Sequence, residues 1–279
     1  PNKFIIKERD GLTLVTANRT MTNASNWNLD ELHYRSIIFD SRGNVVSRGF
    51  PKFFNYNERR EFDRELHQWI KHGKPFTLTE KIDGSLIIRS IINDEVVLRT
   101  RGVFDVREHD TGDETYELLD KYPRLRDKEL LPRSSMLFEY VTPNNQIIIR
   151  HDEPDLIFLS IIDNDSGKLF PVELVKSIAE LNKLKIVPQY NVPNLKSTKD
   201  LVDYLKSISA NRKLIEGFVI RFGQNLIKIK TEEYLRLHYL KYSLSYKQFA
   251  KESLQFKLYD KDSLMNKRLK KYDFEVVQL

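Results

Sequence analysis

Short apolar runs set apart by a few polar residues constrain this chain more than any other feature. Residues 34–39, 86–92, 96–99, 136–141, 146–149, 156–162, 218–222 and 226–229 each have the length and the β-branched or aromatic content of a strand. Turn-forming residues join several of them: Asn93-Asp94, Pro143-Asn144-Asn145 and Gly223-Gln224. That predicts antiparallel hairpins. Helical patterns lie between the runs. Residues 57–71 carry Phe62, Leu66 and Ile70 at four-residue spacing, residues 172–184 form a second stripe, and residues 201–208 follow a Ser197-Thr198-Lys199-Asp200 capping box. From Glu232 onward the strand pattern gives way to a Tyr-, Leu- and Lys-rich stretch with helical spacing. Strands and helices mixed without βαβ alternation predict the α+β class.

Composition removes whole classes of function. With no cysteine there are no thiolate zinc sites, cysteine nucleophiles or disulfides, and the chain suits a reducing compartment. Its six histidines are scattered, without zinc-ligand spacing. An apolar fraction of 40% with 13 Tyr and 16 Phe supports a packed core rather than disorder. No apolar run reaches the roughly 18 residues of a membrane span, and no basic–apolar–small signal opens the sequence. The 46 basic and 40 acidic residues leave a net charge of +6, a lean toward polyanionic partners. Pro and Gly are spread as turn punctuation, so no interior boundary is expected before the last fifth of the 279 residues.

One segment carries chemistry: Thr77-Leu-Thr-Glu80-Lys81-Ile-Asp83-Gly84-Ser85. An apolar strand follows at once, so Lys81 belongs to a strand-entry loop. Asp83-Gly84 makes a tight turn in which glycine can take a positive φ and leave room for a ligand. A bare K-x-D-G string is short and also fits a surface lysine beside a turn. Downstream, in order, come Phe138-Glu139-Tyr140, Glu216-Gly217-Phe218-Val219 and Lys228-Ile-Lys230. This ordered set resembles the covalent lysine nucleotidyltransferases. With Arg35-Ser-Ile-Ile-Phe39, Pro51-Lys52-Phe53-Phe54-Asn55, Phe138-Glu-Tyr-Val-Thr-Pro143-Asn144 and Lys228-Ile-Lys-Thr-Glu-Glu-Tyr234, it resembles more narrowly the ATP-dependent RNA ligase 1 family of T-even bacteriophages. The similarity runs from about Leu12 to Tyr239.

The resemblance implies a nucleotidyltransferase fold of antiparallel sheets with flanking helices, an adenylation domain over residues 1–231 and a helical C-terminal segment over 232–279. It implies ATP as AMP donor and Mg²⁺ or Mn²⁺ as the metal. Lys81 is expected to attack the α-phosphate. Glu80 would face the adenine, Glu139 and Glu216 the ribose and metal, and Lys228 and Lys230 the α-phosphate. Arg35 and Lys52 would hold the pyrophosphate, with Tyr234 nearby. The phage enzymes carry a Lys-x-Lys-Gly where this chain reads Arg99-Thr-Arg101-Gly, and phosphate binding is carried over to Arg99 and Arg101. Expected partners are RNA ends bearing a 5′-phosphate and a 3′-hydroxyl, handled by a monomer without a membrane, in the cytoplasm (the host's, if the source is viral). The long C-terminal domain of the phage enzymes has no counterpart after Lys230. Basic residues from Lys241 to Lys271 are expected to handle RNA instead. The alternatives are a DNA ligase or capping enzyme, which usually need an OB-fold after the second lysine pair, and a silent RNA-binding protein of the same fold.

The chemistry explains why these residue types recur together. A lysine with its usual pKa of about 10.4 is almost wholly protonated at neutral pH, so nearby cations are needed to lower it. The same cations offset charge that builds on the α-phosphate oxygens. On a strand over residues 225–231, Lys228 and Lys230 share one face and Ile227 and Ile229 the other, as they also would on any exposed strand. Glu216 must reach the lysine face. A two-residue Gly223-Gln224 turn would set it opposite Thr231, on the wrong side, whereas a loop over residues 222–224 would set it opposite Lys230. An odd loop or a bulge is therefore expected. Phe53, Phe54 and Tyr56 are expected to pack in the core rather than stack on bases.

Overall fold

A computed structural model describes residues 2–212 and 214–243. The first strands are β1 (Phe4–Arg9), β2 (Leu12–Ala17), β3 (Ser36–Phe39), β4 (Val45–Arg48), β5 (Phe54–Asn55) and β6 (Thr77–Lys81). There follow β7 (Ser85–Ile92), β8 (Glu95–Arg99), β9 (Ser134–Val141), β10 (Asp155–Asp163), β11 (Gln189–Tyr190), β12 (Gly217–Phe222) and β13 (Asn225–Lys230). The α-helices are α1 (Arg60–Lys71), α2 (Gly112–Lys121), α3 (Val172–Leu181), α4 (Thr198–Ala210) and α5 (Glu232–Ser243). They build three sheets, ordered β1-β2-β3-β4, β10-β9-β7-β8 and β11-β6-β12-β13-β5. Every pairing is antiparallel except that of β13 with the short β5. The class is α+β.

Strand alternation decides which faces meet. In β12, Phe218 and Ile220 point one way and join Leu78, Ile227, the Leu66 and Ile70 stripe of α1 and Leu201 and Leu205 of α4. Val219 points the other way, into a cluster with Leu226, Phe53 and Ile88 and Leu137 of the second sheet. The second and third sheets thus face each other across an apolar layer. The outer side of the second sheet is covered by Leu118 and Leu119 of α2 and Val175 and Ala179 of α3. Helix α4 starts where the capping residues predict, with Ser197 Oγ accepting from Asp200 N at 3.1 Å. Helix α1 starts three residues later than its periodicity suggests, because Asn57 turns the chain with φ 71°.

Two expectations fail locally. Residues 146–149 form no strand, since the buried carboxylate of Asp83 accepts from Ile148 N at 2.8 Å and Ile149 N at 2.7 Å. Those are the N–H groups a ladder would use. The partner of β9 is β10, reached through a longer connection rather than a Pro143-Asn144-Asn145 hairpin. Nor is the β12–β13 loop odd: Phe222 pairs Asn225 across a two-residue Gly223-Gln224 turn, with Gly223 at φ 60°. Glu216 does lie opposite Thr231, whose N–H donates to its carbonyl at 3.0 Å. The Asn93-Asp94 hairpin forms as expected, with φ of 51° and 65° at its two turn residues.

Gly217 closes this end of β12 against β13. A Cβ there would sit 2.1 Å from Ile229 O and 2.7 Å from Lys230 Cα, both backbone atoms that cannot swing aside. Gly217→Ala is expected to destabilise the fold by about 1–3 kcal/mol through overpacking, at about 2–4 °C of Tm per kcal/mol. Thermal denaturation checks this, and an unchanged Tm would show that the strand pair opens at no cost.

Candidate active site

The register of three strands assembles the site. Gly217 lies directly between Lys81 of β6 and Lys230 of β13, and Val219 lies between Thr79 and Lys228. Residues opposite one another in a sheet share a face, so all three lysines come to the side that looks at the second sheet. Gly217, lacking a side chain, leaves space in the row between two of them. From the facing sheet β9 contributes Glu139. Arg35, at the end of the 3₁₀ turn Leu29–Arg35, enters from the first sheet. These five groups, with Glu216, surround a cavity of about 340 Å³.

Glu216 is 3% exposed and holds two cations at once. Its carboxylate oxygens lie 2.7 Å from Lys81 Nζ and 2.9 Å from Lys230 Nζ. It reaches the lysine face despite the even turn because it stands one residue outside β12. The alternation of the pleat does not govern it there. The requirement for an odd loop is thereby corrected, while the grouping it was meant to secure is present.

Buried charges of one sign dominate the rest. The Lys228 ammonium is pushed down to about 7, first by burial and then by Arg35, Lys52, Lys81 and Lys230. It lies 5.5 Å from the centre of the Phe53 ring. Burial and Arg101 lower Arg35 to about 10, against the pull of Glu139, which leaves it charged at neutral pH. Glu139 moves the opposite way, up to about 7, because burial outweighs Lys81 and because Glu216 and Asp83 add negative charge nearby.

The loop after Lys81 is fixed by contacts the sequence does not announce. Asp83 is 3% exposed and accepts from Tyr234 Oη at 2.7 Å besides the two N–H groups of residues 148 and 149. His151 Nε2 lies 2.9 Å from the Asp83 carbonyl. Gly84 does not use a positive φ as expected. A Cβ there would lie 2.4 Å from Tyr140 O and 3.0 Å from Glu139 Cγ, so glycine is needed for the close approach to β9.

Other expected residues are placed differently. Glu80 reaches the cavity edge with its carboxylate bound by Tyr190 Oη at 2.9 Å and Arg212 Nη1 at 3.2 Å. Lys52 does not line the cavity; its ammonium lies over the rings of Trp27 and Phe54, within the field felt by Lys228. Tyr234 is 2% exposed, under Lys230 and bonded to Asp83, so it braces the site from behind. Arg99 is corrected outright. It is 0% exposed and donates to Ser47 Oγ and Ser36 Oγ, both at 2.7 Å, inside the packing of β8 on β3 and β4. Arg101 lines a neighbouring cavity instead. Phe54 is core, as expected, whereas Phe53 borders the cavity. Gly217, Tyr190, Arg212 and His151 were not singled out from the sequence. Only Gly217 had a signal there, its place directly after Glu216.

The donor set suits a hard divalent ion held weakly by protein. Glu139 and Glu216 share one electrostatic neighbourhood, but no group of three His, Cys, Asp or Glu able to hold a metal occurs among the described residues. Mg²⁺ or Mn²⁺ would fit, since such ions complete their shell with water and phosphate oxygens.

Glu139 makes the site a liability for the fold. Its folded pKa lies above the usual 4.5, so the native state retains a proton that the unfolded chain loses as pH rises from 4.5 to about 7. Native stability therefore falls across that window, and the loss is complete above it. Glu139→Gln is expected to leave stability unchanged near pH 4.5 and to raise it by about 1–3 kcal/mol above pH 7. Denaturant titrations at both pH values measure the difference, and an equal effect at both would contradict the assignment.

Comparison with known proteins matches this architecture. A family model described as RNA ligase aligns with residues 33–261. A Thermovibrio ammonificans protein, provisionally named an RNA ligase, is 30% identical over 216 residues, covering 74% of this chain and 52% of its own length. The chain thus spans about half of that relative. An archaeal ATP-dependent RNA ligase superposes with a TM-score of 0.60 at 15% identity, over 95% of this chain and 70% of its own. A Naegleria gruberi RNA ligase solved with AMP and Mn gives 0.52 at 19% identity, over 69% and 60%. These structures share the fold. The match to the family model covers most of the chain, and the chain belongs to the RNA ligase family.

Proposed function

We propose that this chain is an ATP-dependent RNA ligase that joins 5′-phosphate and 3′-hydroxyl RNA ends through an adenylate on Lys81. The supporting observation is the convergence of Lys81, Lys228 and Lys230 on one strand face with Glu216 between two of them. The adenylation domain expected over residues 1–231 would be joined by α5, and the remainder of the helical segment expected over 232–279 lies outside the described residues. Of the basic residues expected to handle RNA, Lys241 donates to the carbonyls of residues 146 and 147, and those from Lys247 to Lys271 fall outside the described residues. No described helix is long and apolar enough to cross a membrane. A cytoplasmic monomer is part of the proposal.

Each residue has a task in the first step. Lys81 Nζ, once deprotonated, bonds to the α-phosphorus of ATP while the bond to the bridging oxygen of pyrophosphate breaks. Glu216 engages the Lys81 side chain at 2.7 Å, so adenylation requires that carboxylate to turn to another cation. Lys228, Lys230 and Arg35 offset charge on the phosphate oxygens. Glu216 and Glu139 would hold Mg²⁺ or Mn²⁺, which when bound adds positive charge at the phosphates. Glu80 and the backbone beside it would face the adenine.

Two measurements test this reading. Intact mass after incubation with ATP and Mg²⁺ should show one added AMP, absent in Lys81→Ala and reduced about 100-fold in rate in Lys230→Ala. An adduct that survives Lys81→Ala would defeat the assignment. Lys228, at about 7, is mostly neutral at pH 8 in the resting site, and a polyphosphate favours its charged form. Binding of a non-reactive ATP analogue at pH 8 should therefore take up protons. Calorimetry in buffers of different ionisation enthalpy should show it, with the uptake reduced in Lys228→Met. No buffer dependence in the unsubstituted protein would count against it.

A further inference from the structure

The second cavity, where Arg101 lies, is larger, about 670 Å³, and has no role in the chemistry described so far. It shares a wall with the lysine cavity, formed by Arg35 and Leu86. A molecule in it would reach the α-phosphate region past the Arg35 guanidinium. Its other polar lining includes Thr100, Arg101, His109, Thr111, Asn144 and Asn145, with one carboxylate, Asp110. Leu86, Ile87 and Val106 give it an apolar side. Two guanidinium groups beside hydroxyl, imidazole and amide donors suit a phosphate joined to a sugar.

The backbone that carries Arg101 is held firmly. Ser36 Oγ donates to Arg101 O at 2.9 Å, and the same hydroxyl accepts from Arg99 at 2.7 Å. Arg99 is wholly buried and has no carboxylate partner among the described ion pairs, so its charge adds to the positive field behind Arg101. Thr100 Oγ1 and His109 Nε2 lie 3.2 Å apart, placing the imidazole at the same rim. Asn144 Nδ2 is engaged by Glu114 at 2.8 Å, which leaves Asn145, exposed, as the freer amide of the pair.

We infer that this cavity is the docking site for the 5′-phosphorylated end of the RNA strand, with Arg101 and Arg35 on its terminal phosphate and His109 and Asn145 along the following nucleotide. The inference rests on the adenylate reading of Lys81. With the strand seated, an oxygen of the terminal phosphate bonds to the phosphorus of lysyl-AMP. The phosphorus–nitrogen bond breaks, a P–O–P linkage forms, and the Lys81 amine leaves and takes a proton from solvent.

The test separates the two readings. His109→Glu with Asn145→Asp places negative charge on two exposed positions that the adenylation step does not use. Lysyl-AMP formation from ATP should stay within about two-fold of the unsubstituted protein, which also reports that the variant is folded. AMP transfer from lysyl-AMP to a 5′-phosphorylated oligoribonucleotide should need at least about ten-fold more RNA for half-maximal rate. Competition by the same oligoribonucleotide lacking the 5′-phosphate should weaken less. A second variant, Asn145→Lys, should shift the half-maximal RNA concentration the opposite way. Normal AMP transfer in the acidic variant together with no effect of Asn145→Lys overturns the docking site alone. Absence of lysyl-AMP in the unsubstituted protein overturns the adenylate reading, and this inference falls with it.

Discussion

The carboxylate of Glu216, held between the ammonium groups of Lys81 and Lys230, is the contact on which the cavity depends. Three lysines and Arg35 converge on this cavity, and burial followed by their mutual repulsion lowers the proton affinity of Lys228. Glu216 offsets that repulsion at the end of β12, beside the Gly217 position that pairs with both Lys81 and Lys230. Because the carboxylate is buried and both ammonium groups are partly wet, the cost of desolvation falls mainly on Glu216. The backbone secures it independently. Glu216 O accepts from Thr231 N, and Gly217 admits no side chain that could hold the strands apart.

Across the cavity the balance is unresolved, and that gives the site its character. Glu139 and Lys228 are a carboxyl and an amine that both titrate near 7, since neither has enough opposite charge nearby to offset its burial. A polyanion would favour the charged amine, and a cation beside Glu139 would favour the charged carboxylate. The site is thus suited to a polyanion and a cation, at the expense of the fold's own stability, the usual trade between activity and stability.

What the sequence displayed of this arrangement follows from how locally each feature is determined. Lys81, Glu139, Glu216, Lys228 and Lys230 were legible because each sits in a short ordered motif, and the face shared by Lys228 and Lys230 follows from strand alternation alone. The position of Glu216 was misjudged because alternation was extended one residue past the strand's end. Arg99 and Arg101 show the same limit: Arg99 ends β8 and is fixed by its ladder, whereas Arg101 lies beyond it and faces another cavity. Residues 146–149 looked like a strand because an apolar run says nothing about who takes its N–H groups. The taker, Asp83, is more than 60 positions away in sequence.

The same loop shows why a boundary at Glu232 cannot be a clean division of labour. Its N–H groups at 148 and 149 are satisfied by Asp83, and its carbonyls at 146 and 147 accept from Lys241 Nζ of α5. Tyr234, in the first turn of α5, donates to the other oxygen of that same Asp83 carboxylate. Loop, helix and the Asp83-Gly84 turn therefore share one hydrogen-bond network, and none can shift without leaving buried polar groups unpaired, at roughly 1–3 kcal/mol each. Asp83 stands two residues from Lys81, so the geometry of the lysine depends on a helix that follows the last strand of the sheet. A helix joined so tightly to the Asp83-Gly84 turn is structurally part of the unit that carries Lys81. Any separate RNA-handling role of the C-terminal segment must then begin beyond α5.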